Sequence, residues 1–453
     1  MRRAVQILSV LILTTIAAPT TAAAATWSAP VNVSSSSTFV DNPFIGFGRS
    51  GVGLAAWRWQ DGIGNGARGG LRVASESVSG EFSPEREARD GGSPVLYGKS
   101  RVVLAGEQTI LRRHASPLTR IRIWFGRTDG SFGPPRTIDT VQLLRTPAVA
   151  ANDTGTVAVA YVRMTRGRHR SAKLIIRRRK RFGRPRIVSR RGGVSAVTVA
   201  VGSGGEVAVA WARGSLIEAR IWRRGHALGP VVRVGRNPNG AVPTLHAAVA
   251  ASGRVWIAWS SQTLSEGGDN GPFTLQVALS SKRGLRFHRP KLLDRYERRA
   301  NDEATFGLAL DGNDNGFVAW SSFDGSNFRA RLAFADSDGR FIRHGTLSQP
   351  GYDAAVSDLA TTRQIGEALV VWARLDAVGE VGTAVVAGYR PPTGGYSGEE
   401  QVSRGDRARK PAAAFNPRTG LPTVVWSQRE GPDGPGIPLG QVSAFLRASI
   451  RTP

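Results

Sequence analysis

The 453-residue sequence contains no cysteine, and its acidic residues are few relative to its basic ones. The absence of cysteine excludes disulfides, cysteine-ligated zinc or iron–sulfur sites and a cysteine nucleophile. Asp and Glu number 34 against 61 Lys and Arg, which gives a formal charge of +27, and only six of the basic residues are Lys. Hydrophobic residues nevertheless make up 41% of the chain, with 11 Trp. A large core can therefore form, and global disorder is excluded.

The N-terminus has the layout of a secretory signal peptide. Arg2 and Arg3 precede an apolar segment over 4–18, and the small residues Ala22–Ala25 follow it. Polar residues interrupt the apolar segment, which makes it a poor membrane anchor, the alternative interpretation. We expect a cleaved signal peptide over 1–25, a single domain over 26–453 and a secreted or extracytoplasmic protein without a transmembrane segment in the mature chain.

An apolar run that ends in an aromatic residue recurs about every 50 residues, which indicates a repeat protein. The aromatic residues are Trp57, Tyr161, Trp211, Trp259, Trp320, Trp372 and Trp426, and a degenerate copy ends at Gly106. In six of these eight copies a glycine lies six positions earlier, where a hairpin turn between two strands is expected. Because the aromatic residue recurs at one position, we expect it to pack between neighbouring sheets. Trp59, Trp124, Trp222 and Trp256 fall outside this register and are candidates for exposed contacts.

A second signature, an aromatic residue followed by proline, lies later in several repeats, as in Phe132–Pro134 and Phe182–Pro185. With the β-type runs between the signatures, each repeat holds four short strands, and no segment has a sustained helical period. The sequence therefore predicts an all-β fold, a β-propeller of eight four-stranded blades, with seven as the alternative. The segment Trp27–Ser34 reads as an isolated last strand, so we expect it to complete the last blade and close the ring.

The repeats resemble those of secreted bacterial propellers of the sialidase-like, Asp-box (BNR) superfamily. The resemblance covers the mature chain and includes degenerate Asp-box turns at Arg127–Phe132, Ser281–Phe287 and Ser337–Phe341. It implies a secreted propeller; the active enzymes of that superfamily use an arginine triad, an aspartate acid and a tyrosine–glutamate pair. The R-I-P motif that contains an N-terminal arginine in those enzymes is missing near the first blade. We assign no catalytic residue.

The strongest local anomaly is an acid-free stretch from Thr154 to Ser203 with fourteen basic residues. We expect it to attract a polyanion, unless it is a solvated face that reflects an arginine-biased composition. Its two halves should lie in a loop over 163–173 and a turn over 178–184, on opposite faces of the ring. The candidate binding residues are Arg163, Arg166, Arg168, Arg170, Lys173, Arg177, Arg178, Arg179, Lys180 and Arg181.

Metal and cofactor signals are weak. Asp311–Gly316 matches the first half of a calcium loop, but Ser322 occupies the place of the bidentate acid and the segment also suits a hairpin turn. The six histidines have no ligand spacing, so we expect no metal and no cofactor. The long loops should share one face of the ring, where binding is expected. The acids in those loops are Asp61, Glu107, Asp269, Asp324, Glu430 and Asp433.

These observations favour a monomeric, non-enzymatic binding or scaffold propeller. Its expected partner is an anionic polysaccharide, a cell-wall polymer or a protein; export makes nucleic acid a poor physiological partner. The alternative is a glycoside hydrolase or lyase of the sialidase-like type, which would need two carboxylates about 5–10 Å apart.

Overall fold

The computed structural model describes most of the chain from residue 26 to residue 452. The residues outside its description are 1–25, 63–67, 89–91, 93, 113–114, 144–145, 166–168, 179–180, 191, 238–241, 263–271, 282–285, 298–304, 376–381, 393, 405–406, 432–442 and 453. The predicted signal peptide thus lies outside the described residues. Over the described ranges, no helix long and apolar enough to cross a membrane occurs.

The described strands assemble into seven antiparallel sheets. The first sheet holds β3 (Phe39–Phe47), β4 (Gly53–Asp61), β5 (Arg68–Glu76) and β6 (Arg86–Ala88). A nine-stranded sheet holds β7 (Pro94–Tyr97), β8 (Arg101–Arg112), β9 (Ala115–Arg127), β10 (Arg136–Leu143), β11 (Ala148–Ala151), β12 (Val157–Met164), β13 (Arg170–Arg178), β14 (Arg181–Phe182) and β15 (Arg186–Ile187).

Four further sheets have four strands each. Two of them hold β16 (Val194–Val201), β17 (Val207–Arg213), β18 (Leu216–Trp222) and β19 (Val232–Arg236), and β20 (Leu245–Val249), β21 (Val255–Gln262), β22 (Pro272–Leu279) and β23 (Lys291–Glu297). The other two hold β24 (Phe306–Leu310), β25 (Gly316–Phe323), β26 (Phe328–Ala335) and β27 (Phe341–Thr346), and β28 (Asp353–Thr361), β29 (Ala368–Leu375), β30 (Gly382–Arg390) and β31 (Glu399–Gln401). The last sheet holds β32 (Ala408–Phe415), β33 (Pro422–Glu430) and β34 (Ser443–Thr452) together with β1 (Thr26–Trp27) and β2 (Val31–Asn32).

The nine-stranded sheet contains two of the predicted repeats, β7–β10 and β11–β15. They are joined because the end of β10 pairs with β12, with Leu143 opposite Arg163. The degenerate repeat around Gly106 forms strand β8, which pairs with β7 and β9 like its counterparts. The all-β, propeller-type arrangement of antiparallel four-stranded sheets that the repeats predict is confirmed.

The two ends of the chain meet in the last sheet. Strands β1 and β2 pair with β34, with Trp27 opposite Arg451 and Val31 opposite Ala448. We call β3–β6 the first unit, and β32–β34 with β1 and β2 the last unit. These units also contact each other: the Asn416 side chain donates to the Gly51 carbonyl at 3.0 Å, and Ser427 Oγ donates to the Val40 carbonyl at 2.6 Å. Residues almost 400 positions apart are thereby neighbours.

The recurring aromatic residue forms the core between sheets, as predicted. All seven copies are buried, with at most 1% of the residue exposed. Several also donate a hydrogen bond to the outer strand of the preceding repeat: Tyr161 to Asp139, Trp320 to Asp294 at 2.6 Å, and Trp259 to the Arg236 carbonyl at 3.1 Å. These three copies therefore join two repeats both by packing and by a polar contact.

The expectation that the four other tryptophans are exposed is wrong. Trp59, Trp124, Trp222 and Trp256 are all buried, at 9%, 2%, 6% and 1% exposure. The physical reason is that neighbouring sheets cover both faces of a sheet in this stack. Residues of either parity along an inner strand are then buried, although alternate side chains point to opposite faces.

Candidate functional site

A pocket of about 920 Å³ lies where the first and last units meet. Strands β3, β4 and β5 form one wall, β32 and β33 the other, and the middle of β8 closes a third side. We call it the basic pocket, because seven charged residues line it and five of them are cationic: Arg58, Arg407, Arg409, Lys410 and Arg429, with the acids Asp41 and Glu107.

Two irregular strands shape the basic pocket. Strand β3 loses its regular register with β4 between Asp41 and Phe44, and β32 does so with β33 between Arg409 and Ala412. A proline sits inside each irregularity, directly after Asn42 and Lys410, and both of these residues have a φ of 49°. A bulge of this kind re-aims the neighbouring side chains and is common beside binding sites.

Backbone strain is concentrated at the same place. Four non-glycine residues among those described have a positive φ, and three of them, Asn42, Arg407 and Lys410, line the basic pocket. Each such conformation costs about 1–3 kcal/mol and persists only where the surrounding structure enforces it. The strained backbone thus coincides with the place where the cationic side chains surround one cavity.

Cationic side chains outnumber acidic ones in the lining of the basic pocket. Lys410 Nζ lies 2.8 Å from Asp41 Oδ1, and this pair is about half exposed. The Arg429 guanidinium lies 5.3 Å from the centre of the Phe39 ring. Glu107 is the second acid in the lining and is exposed. Five cations against two acids make the cavity attractive to a carboxylate, sulfate or phosphate group.

The inner wall of the pocket combines an aromatic residue with glycines. The Trp59 ring is covered on one side by Arg72, whose guanidinium carbon lies 3.8 Å from the ring centre. Trp59 Nε1 is buried and has no hydrogen-bond partner among the described residues. A Cβ added at Gly69 would approach the Trp59 carbonyl to 2.8 Å, so this position requires glycine. The absence of side chains at Gly69 and Gly70 keeps this wall open.

The six described residues among the ten expected to bind a polyanion do not line the basic pocket. Arg166, Arg168, Arg179 and Lys180 lie outside the described residues. Lys173 and Arg177 are buried, at 8% and 9% exposure. Lys173 Nζ contacts Asp139 Oδ2 at 3.0 Å. Because a buried charge needs such a partner, Lys173 has a structural role.

The other described members of that stretch are dispersed. Arg163 and Arg170 lie at one end of the β12–β13 pair, and Arg181 lies beyond its other end. The neighbours Arg177 and Arg178 point to opposite faces of β13 and stack on aromatic rings of different repeats, Phe125 at 4.1 Å and Trp222 at 4.4 Å.

The calcium-like segment serves as a hairpin turn. The Asp311 carboxylate accepts hydrogen bonds from the backbone of Asn313 and Asn315, from the Asn315 side chain and from the Gly366 backbone at 2.7–3.0 Å. Asp314 accepts from the backbone of Ser252 in the preceding repeat at 2.9 Å. Within the described residues, no group of three or more potential metal-ligating side chains occurs. The Asp311 carboxylate therefore acts as a clamp between hairpins.

Of the four loop acids that the structure describes, Glu107 alone lines the basic pocket. Asp324 pairs with Arg329 and Glu430 with Arg447, Asp61 accepts from the Thr38 backbone, and Asp269 and Asp433 lie outside the described residues.

The sequence analysis did not predict the basic pocket. The usable signal was the proline inside the strand patterns at Pro43 and Pro411, because proline within a strand marks a bulge or an edge.

Comparison with known proteins finds similarity in solved structures alone. No protein-family model and no curated protein matches the sequence. A polysaccharide lyase described as a PL25 ulvan lyase is similar at 10% identity and a TM-score of 0.49, over 75% of this chain and 92% of that one. The NanB sialidase of Streptococcus pneumoniae has 9% identity and a TM-score of 0.41, over 92% of this chain and 68% of that one. The β-propeller domain of the trilobed protease from Pyrococcus furiosus has 8% identity and a TM-score of 0.41, over 81% and 95%.

Proposed function

We propose that this protein binds an anionic polysaccharide through the basic pocket. The observation that carries the proposal is the convergence of five cationic side chains on one cavity, on strands bulged at Asn42 and Lys410. Charge-assisted hydrogen bonds from arginine to carboxylate or sulfate are the strong polar contacts of protein interfaces. A volume of about 920 Å³ accommodates more than one sugar ring.

We further propose that residues 26–453 form one domain, a closed ring of eight blades, exported by the signal peptide at 1–25. Support comes from the pairing of β1 and β2 with β34 and from the contacts between Asn416 and Gly51. The basic pocket then sits at the seam of the ring, where β3 and β32 lie side by side. The shape of the basic pocket then depends on how the first and last units meet when the ring closes.

The test is binding of a heparin oligosaccharide and of neutral dextran by titration calorimetry at several salt concentrations. We expect saturable heparin binding that weakens as salt increases, and no dextran binding. The variant R58Q/R429Q should lower the affinity at least about tenfold and reduce the salt slope, because each charge-assisted contact contributes about 1–3 kcal/mol.

The matched control is R178Q/R181Q, which removes two exposed arginines of the acid-free stretch that lie outside the basic pocket. Its affinity should stay within about twofold of the unmodified protein. The acid-free stretch remains a second proposed polyanion surface, and loss of binding in R178Q/R181Q alone would move the site there. Equal affinity in all three proteins would refute both locations.

One observation favours an enzymatic alternative. The carboxylates of Asp41 and Glu107 come from different repeats and line the same cavity, and a glycoside hydrolase or lyase needs such a pair of groups around the scissile bond. Incubation with aryl glycosides, including a sialoside, and with acidic polysaccharides tests this. Product release that is lost in D41N and in E107Q, with binding retained, would replace the binding-only proposal.

A further inference from the structure

A second cationic cavity lies between the repeat β7–β10 and strand β13, away from the basic pocket. Its volume is about 470 Å³. We call it the arginine cleft, because three of its lining residues are Arg101, Arg127 and Arg177 and none is acidic. Phe125, Phe132 and Tyr97 add three aromatic rings to its lining.

Arg177 is the buried arginine of the cleft lining, with 9% of the residue exposed. Its guanidinium carbon lies 4.1 Å from the centre of the Phe125 ring, and its Nε is buried without a hydrogen-bond partner among the described residues. A buried donor of a charged group without a partner is costly. The Nε–H itself is enclosed by protein atoms, so it is the positive charge of the guanidinium that the cleft presents to an oxyanion.

The charges around Arg177 reinforce that conclusion. Burial lowers the pKa of the Arg177 guanidinium, and the positive charges of Arg136 and Arg101 lower it further, whereas Tyr97 acts in the opposite sense. The acid closest in sequence to the cleft lining, Asp129, is already held by the backbone and hydroxyl of Ser131 at 2.9 and 2.6 Å. The described side chains thus leave the arginine cleft strongly positive.

We infer that the arginine cleft binds a sulfate or phosphate monoester group of a sugar. The oxyanion contacts Arg177 with Arg101 and Arg127 at the rim, and the sugar ring lies against Phe132. Bidentate arginine contacts suit these tetrahedral oxyanions, and an aromatic face suits the apolar side of a sugar ring. This site is separate from the basic pocket, so the protein would hold anionic groups at two places.

The experiment uses the full chain with R58Q/R429Q in the basic pocket, so that this cavity does not contribute. The probes are N-acetylglucosamine 6-sulfate, N-acetylglucosamine 6-phosphate and unmodified N-acetylglucosamine at constant ionic strength. We expect binding of one or both charged sugars and none of the neutral sugar. Tighter binding of the sulfate or of the phosphate identifies the source of the oxyanion.

Adding R101Q/R127Q should weaken that binding at least about tenfold, because two of the three charge-assisted contacts are removed. Both residues are exposed, so the fold should persist. The matched control R184Q, an exposed arginine in the turn after β14, should leave the affinity within about twofold. Absence of binding by the charged sugars, or equal binding by R101Q/R127Q, would overturn the inference.

A second readout needs no variant. Phenylglyoxal modifies accessible arginines, and peptide mass spectrometry reports which ones. The charged sugar should protect Arg101 and Arg127 and leave Arg184 as reactive as before. Equal modification with and without the sugar would refute the site even if R101Q/R127Q failed to fold.

Discussion

Two junctions between repeats each contain a carboxyl group, partly buried at Asp139 and fully buried at Glu76, but the groups around them differ. At the β10–β12 junction, Asp139 accepts a hydrogen bond from Tyr161 and lies 3.0 Å from Lys173 Nζ. At the junction of the first and last units, Glu76 accepts a hydrogen bond from Thr423 Oγ1 at 2.8 Å, while its second oxygen is buried without a partner among the described residues. One junction thus pairs its carboxylate with a cation, and the other offers a single hydroxyl.

The pKa values follow from this difference. Burial raises the pKa of Asp139, but the hydrogen bonds from Tyr161 and Lys173 outweigh it, so its pKa lies below the ordinary range. Burial raises the pKa of Glu76 to about 7, against a smaller lowering by Thr423. The Asp139 carboxylate therefore stays ionised near neutral pH, whereas the charge of Glu76 changes with pH in the physiological range.

The largest effect is expected from Asp139→Asn. The amide still accepts a hydrogen bond from Tyr161 but leaves the ammonium group of Lys173 buried and uncompensated, which costs about 3–4 kcal/mol. Urea unfolding at pH 7 measures the loss. The matched control is Asp41→Asn, which removes the half-exposed partner of Lys410 and should cost below about 1 kcal/mol. Equal losses of unfolding free energy in the two variants would show that the Asp139–Lys173 ion pair contributes no more than an exposed one.

The next effect concerns Glu76→Gln, which should stabilise the protein at pH 8 by about 2–3 kcal/mol. Because the pKa of Glu76 is raised in the folded state, its contribution to stability is complete below the unfolded value and is lost as pH rises from about 4.5 to about 7. The free energy of unfolding of E76Q should therefore match the unmodified protein near pH 4 and exceed it at pH 8. Parallel pH profiles for the two proteins would contradict the raised pKa.

The repeat architecture was predictable because an aromatic residue recurs at the end of an apolar run at a nearly constant spacing. Trp211, Trp372 and their counterparts occupy one register position, and both the strand pattern and their burial follow from it. The pairing of Trp27 with the last strand was also readable, because that segment had no strands of its own repeat to pair with.

The basic pocket was not predictable from spacing. Arg58 and Arg409 are far apart in the sequence, and their convergence depends on how the first and last units meet. Their orientation also depends on left-handed backbone at Asn42 and Lys410, which residue type does not predict for lysine. The acid-free stretch of the sequence does not form one surface either, because strand alternation divides neighbours such as Arg177 and Arg178 between two faces.

A smaller effect is expected from Thr423→Val, which removes the hydroxyl that Glu76 uses. The loss should be about 1–2 kcal/mol at pH 5, where the carboxyl is largely protonated in the folded protein. Thr423 lowers the pKa of Glu76, so its removal should move the pH dependence of stability to higher pH. Unfolding measured at several pH values gives both quantities. An unchanged pH profile would mean that Thr423 does not influence the Glu76 charge.

The smallest effect is expected from Tyr161→Phe, which deletes one of the two side-chain donors to Asp139 and leaves Lys173 in place. Since the ion pair remains, the cost should be that of a single hydrogen bond, about 1 kcal/mol at pH 7. The tyrosine hydroxyl lowers the pKa of Asp139, so stability in Y161F should be lost at a higher pH on acidification than in the unmodified protein. Acid unfolding followed by tryptophan fluorescence measures this shift. If Y161F costs as much stability as D139N, the hydroxyl of Tyr161 and not the charge of Lys173 stabilises the junction. The contrast between a cation at Asp139 and a hydroxyl at Glu76 would then be wrong.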